Sequence, residues 1–291
     1  MVVTLDDMGS RPEAVPRQHR IRANGITLSV AEYPGPGGGG DDASVVLLHG
    51  IGSAGASWSP VIDGLVAHFR LLVADLRGHG ASDRPERGYL LPDYAADLDG
   101  LLSAFGLDRP LLLGHSLGGL IALTWAAGHP GRGRAIALED STLRGGPGVV
   151  PSFDGWIALS RLSPAAAAAH YAEEHPDWSA EDCRRRAEGI TSVAPGVFTE
   201  LRAANLDPEQ TDRMASLVGI TSPVLLVHGD PAAGGMVHPA DAARFAVTLP
   251  DARAVRIAGA GHSIHRERPE EFLAAVVPFL AVHVREHDVK S

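Results

Sequence analysis

The chain has 291 residues, 45% of them hydrophobic and 21% charged, enough apolar material for a substantial core in one large domain or a domain with an insert. The formal net charge of −10, with Asp and Glu scattered rather than massed, argues against a nucleic-acid surface, which needs clustered Lys and Arg. Cys183 is the single cysteine, so no internal disulfide forms.

In chain order, MVVTLDDMGSRPEAVPRQHR carries Asp and Pro where a signal peptide has an apolar stretch, and residues 1–18 read as a poorly ordered arm. No apolar run approaches the ~20 residues of a membrane span, so the expectation is a cytoplasmic protein with no membrane partner. Residues 20–33 (RIRANGITLSVAEY) predict a β-hairpin turning at Asn24-Gly25. PGPGGGGDD, residues 34–42, reads as a surface connection; neither Lys-Ser nor Lys-Thr follows it, so it is no phosphate-binding loop. Short, continuous apolar runs then recur at 44–50, 70–78, 109–115, 134–140 and 222–230, with a weaker one at 252–262. Helical patterns such as PDYAADLDGLLSAFG and GLIALTWAAGHP lie between most of them. Strands buried on both faces and separated by helices predict an α/β fold, a mainly parallel sheet flanked by helices.

Residues 143–219 break the alternation with helical patterns only, which divides the chain into core (1–142), helical cap (143–219) and core again (220–291). Such an insert is expected over the carboxyl ends of the strands, where open α/β sheets bind ligands. It holds Phe153, Trp156, Tyr171, Trp178 and Phe198. At least three of these are expected to form the insert's own core, with Trp156 assigned to a pocket wall. Arg184, Arg185 and Arg186, set among Glu181, Asp182 and Glu188, read as a solvated helix face.

Gly114-His115-Ser116-Leu117-Gly118 fits G-x-S-x-G directly after a strand and before a helix. Glycines on both sides let strand and helix meet around a sharp turn that lifts the serine hydroxyl out of the sheet. The backbone N–H of Leu117 is then aimed at a developing oxyanion. The same five residues could equally be a helix N-cap. LLHGIGSAGASW, residues 47–58, supplies a Gly-rich loop whose Ile51 N–H can serve the same oxyanion, with His49 read as structural. GAGHSIHRERPEEF, residues 259–272, offers His262 as general base, while His265, beside Arg266, Glu267 and Arg268, is expected on a solvated face. DLRGHGASDRP, residues 75–85, reads as a structural turn.

The segments LLHGIG, DLRGHGASDRP, GHSLGG and GAGHSIHRERPEEF, in this order, resemble the α/β-hydrolase superfamily over roughly residues 20–142 and 220–282. The resemblance implies Ser116 as nucleophile, His262 as general base, and Ile51 and Leu117 as oxyanion donors. It implies acyl transfer through an acyl-enzyme on a small-molecule substrate, with no metal or organic cofactor. One position departs from the family pattern. The usual acid follows the strand at 223–228, but this chain reads HGDPAAGGMV and has Ala232 there. Asp140, 24 residues after Ser116, and Asp230 are the alternatives, with Asp140 preferred and Glu139 expected to point away from it. A serine at 116 excludes the aspartate-nucleophile branches. The leading expectation is hydrolysis of an apolar carboxylic ester or lactone. Carbon–carbon cleavage of β-diketone-like substrates is the runner-up, for which Arg144, Arg161 or Asn205 would hold a substrate carboxylate. A slow-turnover ligand receptor comes third.

Overall fold

In the computed structural model, which describes residues 15–36, 43–207 and 213–284, the predicted hairpin is formed by β1 (Arg17–Ala23) and β2 (Ile26–Tyr33). Its turn holds Asn24 at φ 45° and Gly25 at φ 80°, the left-handed region that Asn and Gly tolerate best. β1 begins inside the stretch expected to be an arm, because Arg17 and Gln18 pair with Glu32 and Ala31. The rest of that arm, residues 1–14, lies outside the described residues, as do residues 37–42 of the glycine-rich connection.

The apolar runs become β3 (Ser44–Leu48), β4 (Arg70–Ala74), β5 (Leu111–His115), β6 (Ala135–Glu139), β7 (Val224–His228) and β8 (Ala252–Arg256). They form one eight-stranded sheet in the order β1-β2-β4-β3-β5-β6-β7-β8, parallel from β4 to β8 and antiparallel at the hairpin edge. Alternate side chains serve opposite faces. Val45, Leu47, Leu111 and Leu113 pack with α1 (Ser59–Val66) and α10 (Pro269–Ala281). Val46, Leu48, Leu112 and Ile136 pack with α2 (Leu91–Ala104), α3 (Leu117–Gly128) and α8 (Pro239–Thr248). Each fully buried Val, Leu or Ile contributes about 1.5–3 kcal/mol, which is why these strands need no polar face.

Between β6 and β7 lie α4 (Val150–Ser160), α5 (Pro164–Glu174), α6 (Ala180–Thr191) and α7 (Pro195–Ala204). Ser163 and Ser179 start α5 and α6 by accepting from the N–H groups of Ala166 (3.2 Å) and Asp182 (3.1 Å). These helices are pinned to the loops after the strands. Ala194 N–H donates to the Gly78 carbonyl at 2.9 Å, and the Glu200 carboxylate accepts from the N–H of Tyr89 at 2.9 Å. Phe153, Tyr171 and Phe198 are buried as expected, but not in a separate small core. Their cluster is continuous with the apolar layer of α2 and α3, because the insert rests directly on it. Among the described residues no helix is long and apolar enough to cross a membrane.

Candidate active site

β5 ends at His115 and α3 begins at Leu117, leaving Ser116 between them at φ 51°, ψ −113°. A non-glycine residue there costs about 1–3 kcal/mol and persists only where its surroundings enforce it. The glycines show what enforces it. A Cβ on Gly114 would lie 2.5 Å from the Gly118 carbonyl, and one on Gly118 would lie 2.1 Å from the Leu48 oxygen. Gly119, which the pattern does not require, is as constrained: its Cβ would meet Ser141 Oγ at 2.0 Å. Ser116 stands at the N-cap position of α3, but its side chain makes no capping hydrogen bond there.

Asp140, the first residue after β6, is also held at positive φ (39°) and is fully buried. Its Oδ2 lies 2.7 Å from His262 Nδ1 and accepts from Met236 N–H at 2.7 Å, while Oδ1 accepts from Gly229 N–H at 3.3 Å. With Nδ1 donating to Asp140, Nε2 is the ring nitrogen left for a reacting group. Of the two alternative acids, then, the fold brings only Asp140 to His262. Asp230 turns instead to the end of β8 and the loop after it, accepting from Gly259 N–H at 2.7 Å and pairing with Arg256 at 3.3 Å.

The neighbouring residue repeats the arrangement inside the core. Glu139 points away from Asp140, as strand alternation requires, and both its oxygens lie 2.8 Å from His265 Nδ1. It also accepts from the His265 N–H at 2.8 Å. His265 is therefore buried, contrary to the solvated face expected from its charged neighbours. The four-residue helix α9 (Ile264–Glu267) turns it inward while Glu267 accepts from Gly261 N–H. His115 Nε2 donates to the His262 carbonyl at 2.9 Å, and burial drives its pKa well below the ordinary histidine value. His115, Glu139 and His265 lie close together, with His265 Nδ1 held by Glu139 and His115 Nε2 by the His262 carbonyl.

The loop after β3 is held by two neutral histidines. His49 Nδ1 donates to the Gly50 carbonyl (2.8 Å) and Nε2 accepts from Leu76 N–H (3.0 Å). His79 donates to the Arg77 carbonyl (2.8 Å) and accepts from Gly52 N–H (3.2 Å). Burial lowers their pKa values to about 4 and about 3. The DLRGHGASDRP turn is thus structural: Asp75 accepts from Gly55 N–H at 2.7 Å, and Arg77 grips Asp97 with two bonds of 2.5 Å. Ile51 and Leu117 flank Ser116, and neither backbone N–H is taken by another group among the described residues.

Two cavities of about 60 Å³ each meet at Ser116 and share Ile51 and Trp156. The first is lined by Leu120, Val149, Phe153 and Leu201, with Arg144, Asn205 and Arg213 at its polar end. Those polar groups are engaged. Arg144 pairs with Asp241 at 2.6 Å, and Asn205 Oδ1 accepts from Arg213 at 3.0 Å and from Gly146 N–H at 3.1 Å. Arg161 is exposed at the end of α4 and reaches neither cavity. Arg213 was invisible in the sequence because it stands in a short turn with no periodicity around it. A wider groove of about 630 Å³ adjoins this cavity through Thr142, Arg144, Val149 and Met236. The second cavity is lined by Ser57, Arg186, His262, His265 and Arg266. Arg184 and Arg185 lie on the exposed face expected of them, pairing with Glu181. Arg186 does not: one helical step further round α6, it turns inward and donates to the Gly52 carbonyl.

A parallel sheet with a left-handed serine at its central strand–helix turn, beside a histidine held by a buried carboxylate, is the architecture of an α/β-hydrolase. A family profile of the alpha/beta hydrolase fold matches residues 43–269, and the chain belongs to this family; it is an enzyme, a hydrolase. It is 30% identical over 272 residues to 2-(acetamidomethylene)succinate hydrolase of Mesorhizobium japonicum, covering 90% of this chain and 94% of that protein. It is also 30% identical over 265 residues to N-formylmaleamate deformylase of Pseudomonas putida, covering 89% and 95%. Among solved structures, the enol-lactonase of Burkholderia xenovorans superposes with a TM-score of 0.73 at 27% identity, over 89% of this chain and 98% of that one.

Proposed function

We propose that the protein hydrolyses a small carboxylic acid derivative, an ester or lactone with an apolar portion, through an acyl-enzyme on Ser116. The observation that carries this reading is that Ser116, half-buried on a strained turn, lines the same small cavity as His262, whose Nδ1 is fixed by buried Asp140. In this reading His262 Nε2 takes the serine proton as Ser116 attacks the carbonyl carbon. The N–H groups of Ile51 and Leu117 receive the oxyanion, and the protonated His262 passes its proton to the leaving group. Water activated by His262 then frees the acid. Every part is supplied by the chain's own residues, and the substrate's apolar portion lies against Phe153, Trp156 and Leu201.

A second reading has its own support. Two relatives at 30% identity are named for compounds with a nitrogen-bound acyl group, acetamido in one and N-formyl in the other. The same serine chemistry cleaves such a bond, with nitrogen as leaving group. Purified wild type and Ser116→Ala should be assayed against aryl and alkyl esters, lactones, N-acyl amides and a β-diketone. The expected result is turnover of an ester or lactone that Ser116→Ala abolishes. Turnover of N-acyl compounds alone would replace the first reading with the second, and cleavage of the diketone alone would move carbon–carbon hydrolysis ahead of both. Tight binding without turnover would identify a receptor.

A further inference from the structure

The cavity on the His262 side of Ser116 gathers polar atoms that the protein itself leaves unmatched. Ser57 Oγ, His265 Nε2 and Arg266 Nε are all buried without a hydrogen-bond partner among the described residues, and all three side chains line this one space. The Arg266 side chain is only 5% exposed. Its guanidinium lies 4.5 Å from the centre of the Trp178 ring, and its Nε makes a long ion pair with Asp182 at 3.5 Å but no hydrogen bond. Arg186 completes the lining, reaching over Tyr171 at 5.2 Å to the Gly52 carbonyl. Two guanidinium groups and a hydroxyl therefore face a space of about 60 Å³, next to the nucleophile.

Buried polar groups are normally satisfied, because each orphan costs about 1–3 kcal/mol. Two of these orphans, Ser57 Oγ and Arg266 Nε, carry a hydrogen to donate, and beside the two cations they describe a receptor for an acceptor group. In the other cavity the corresponding groups, Arg144 and Asn205, are matched internally by Asp241 and Arg213. We propose that the cavity lined by Ser57, Arg186, His265 and Arg266 is a subsite for a carboxylate carried by the substrate at the end opposite its apolar portion. Arg266 and Ser57 donate to the carboxylate oxygens, and Arg186 adds charge. The compound so recognised is a half-ester, lactone acid or N-acyl acid. The subsite rests on the hydrolytic reading above and makes its substrate anionic.

The test compares 4-nitrophenyl hydrogen succinate with 4-nitrophenyl valerate, which is similar in length but neutral. Wild type should prefer the acid by about tenfold or more in kcat/KM, as expected of a charge-assisted hydrogen bond. Arg266→Met should remove that preference, chiefly through KM; Ser57→Ala should lower it about threefold. An unchanged preference in Arg266→Met, or none in wild type, overturns the proposal and leaves the hydrolysis standing. Calorimetry of succinate with Ser116→Ala, and with the double variant Ser116→Ala/Arg266→Met, supplies a readout independent of turnover. Binding that requires Arg266, in a protein that cleaves no ester or lactone, upholds the subsite and defeats the ester and lactone reading. Succinate binding that ignores Arg266 defeats the subsite.

Discussion

The two cavities that meet at Ser116 have the same volume, about 60 Å³, share Ile51 and Trp156, and differ in how their charges are settled. On the α4 and α7 side the lining is aliphatic and aromatic, and its cations hold protein partners. On the α6 and α9 side three buried polar atoms lack hydrogen-bond partners among the described residues. Satisfied polar groups finish a wall, whereas unsatisfied ones mark where a ligand's own groups belong. The contrast teaches that the nucleophile stands at a boundary: one half of the substrate is selected by shape and apolar burial, the other by hydrogen-bonding and charge.

Five changes would break or sharpen this comparison. The largest effect is expected from Ser116→Ala, which removes the atom both cavities serve. Steady-state assays should show kcat falling by at least about 10⁴-fold on every substrate, whichever cavity it fills. Asp140→Asn comes next. It leaves both linings intact but loses the carboxylate that orients His262, with an expected loss of about 10³–10⁴-fold in kcat. Asp230→Asn should change kcat by less than about twofold, since its bonds go to Arg256 and Gly259 and not to His262. Equal losses in the two variants would contradict the geometry at His262.

The wall common to both cavities should yield to acid. His49 and His79 hold the Ile51 loop with pKa values lowered to about 4 and about 3, so the unfolded chain binds protons at pH values where the folded one does not. Their contribution is complete above the unfolded pKa near 6.5 and is lost as pH falls from there towards 4. Urea unfolding between pH 7.5 and 5 should show stability falling with pH, on the order of a few kcal/mol for the pair. A flat profile would mean that these rings are not buried neutral. A further effect belongs to one cavity alone. Phe153→Ala should lower kcat/KM for long acyl esters relative to acetyl esters by about tenfold, or roughly 1–3 kcal/mol of lost apolar contact. It should leave the preference for a substrate carboxylate as it was.

Much of the framework was legible in the sequence because it is written in local signals. Short apolar runs bounded by turn signals read as buried strands, Asn24-Gly25 favours a tight turn, and the spacing of Gly114, Ser116 and Gly118 encodes a close approach that any larger side chain would block. What sequence order could not supply was the direction of side chains whose partners lie far along the chain. Asp140 and Asp230 both end strands of one sheet, and only the packing of Met236 and Gly229 against Asp140 decided which reaches His262. His265 and Arg186 sit among charged neighbours that suggest solvent. Yet Glu139, 126 residues from His265, and the Gly52 carbonyl, 134 residues from Arg186, draw both inward. The sequence by itself determined the elements, their order and the strained serine, because periodicity and glycine sterics act over a few residues. Only the tertiary structure decided the pairing of acids with histidines and the unequal character of the two cavities, because burial and long-range hydrogen bonds exist only once the chain has closed on itself.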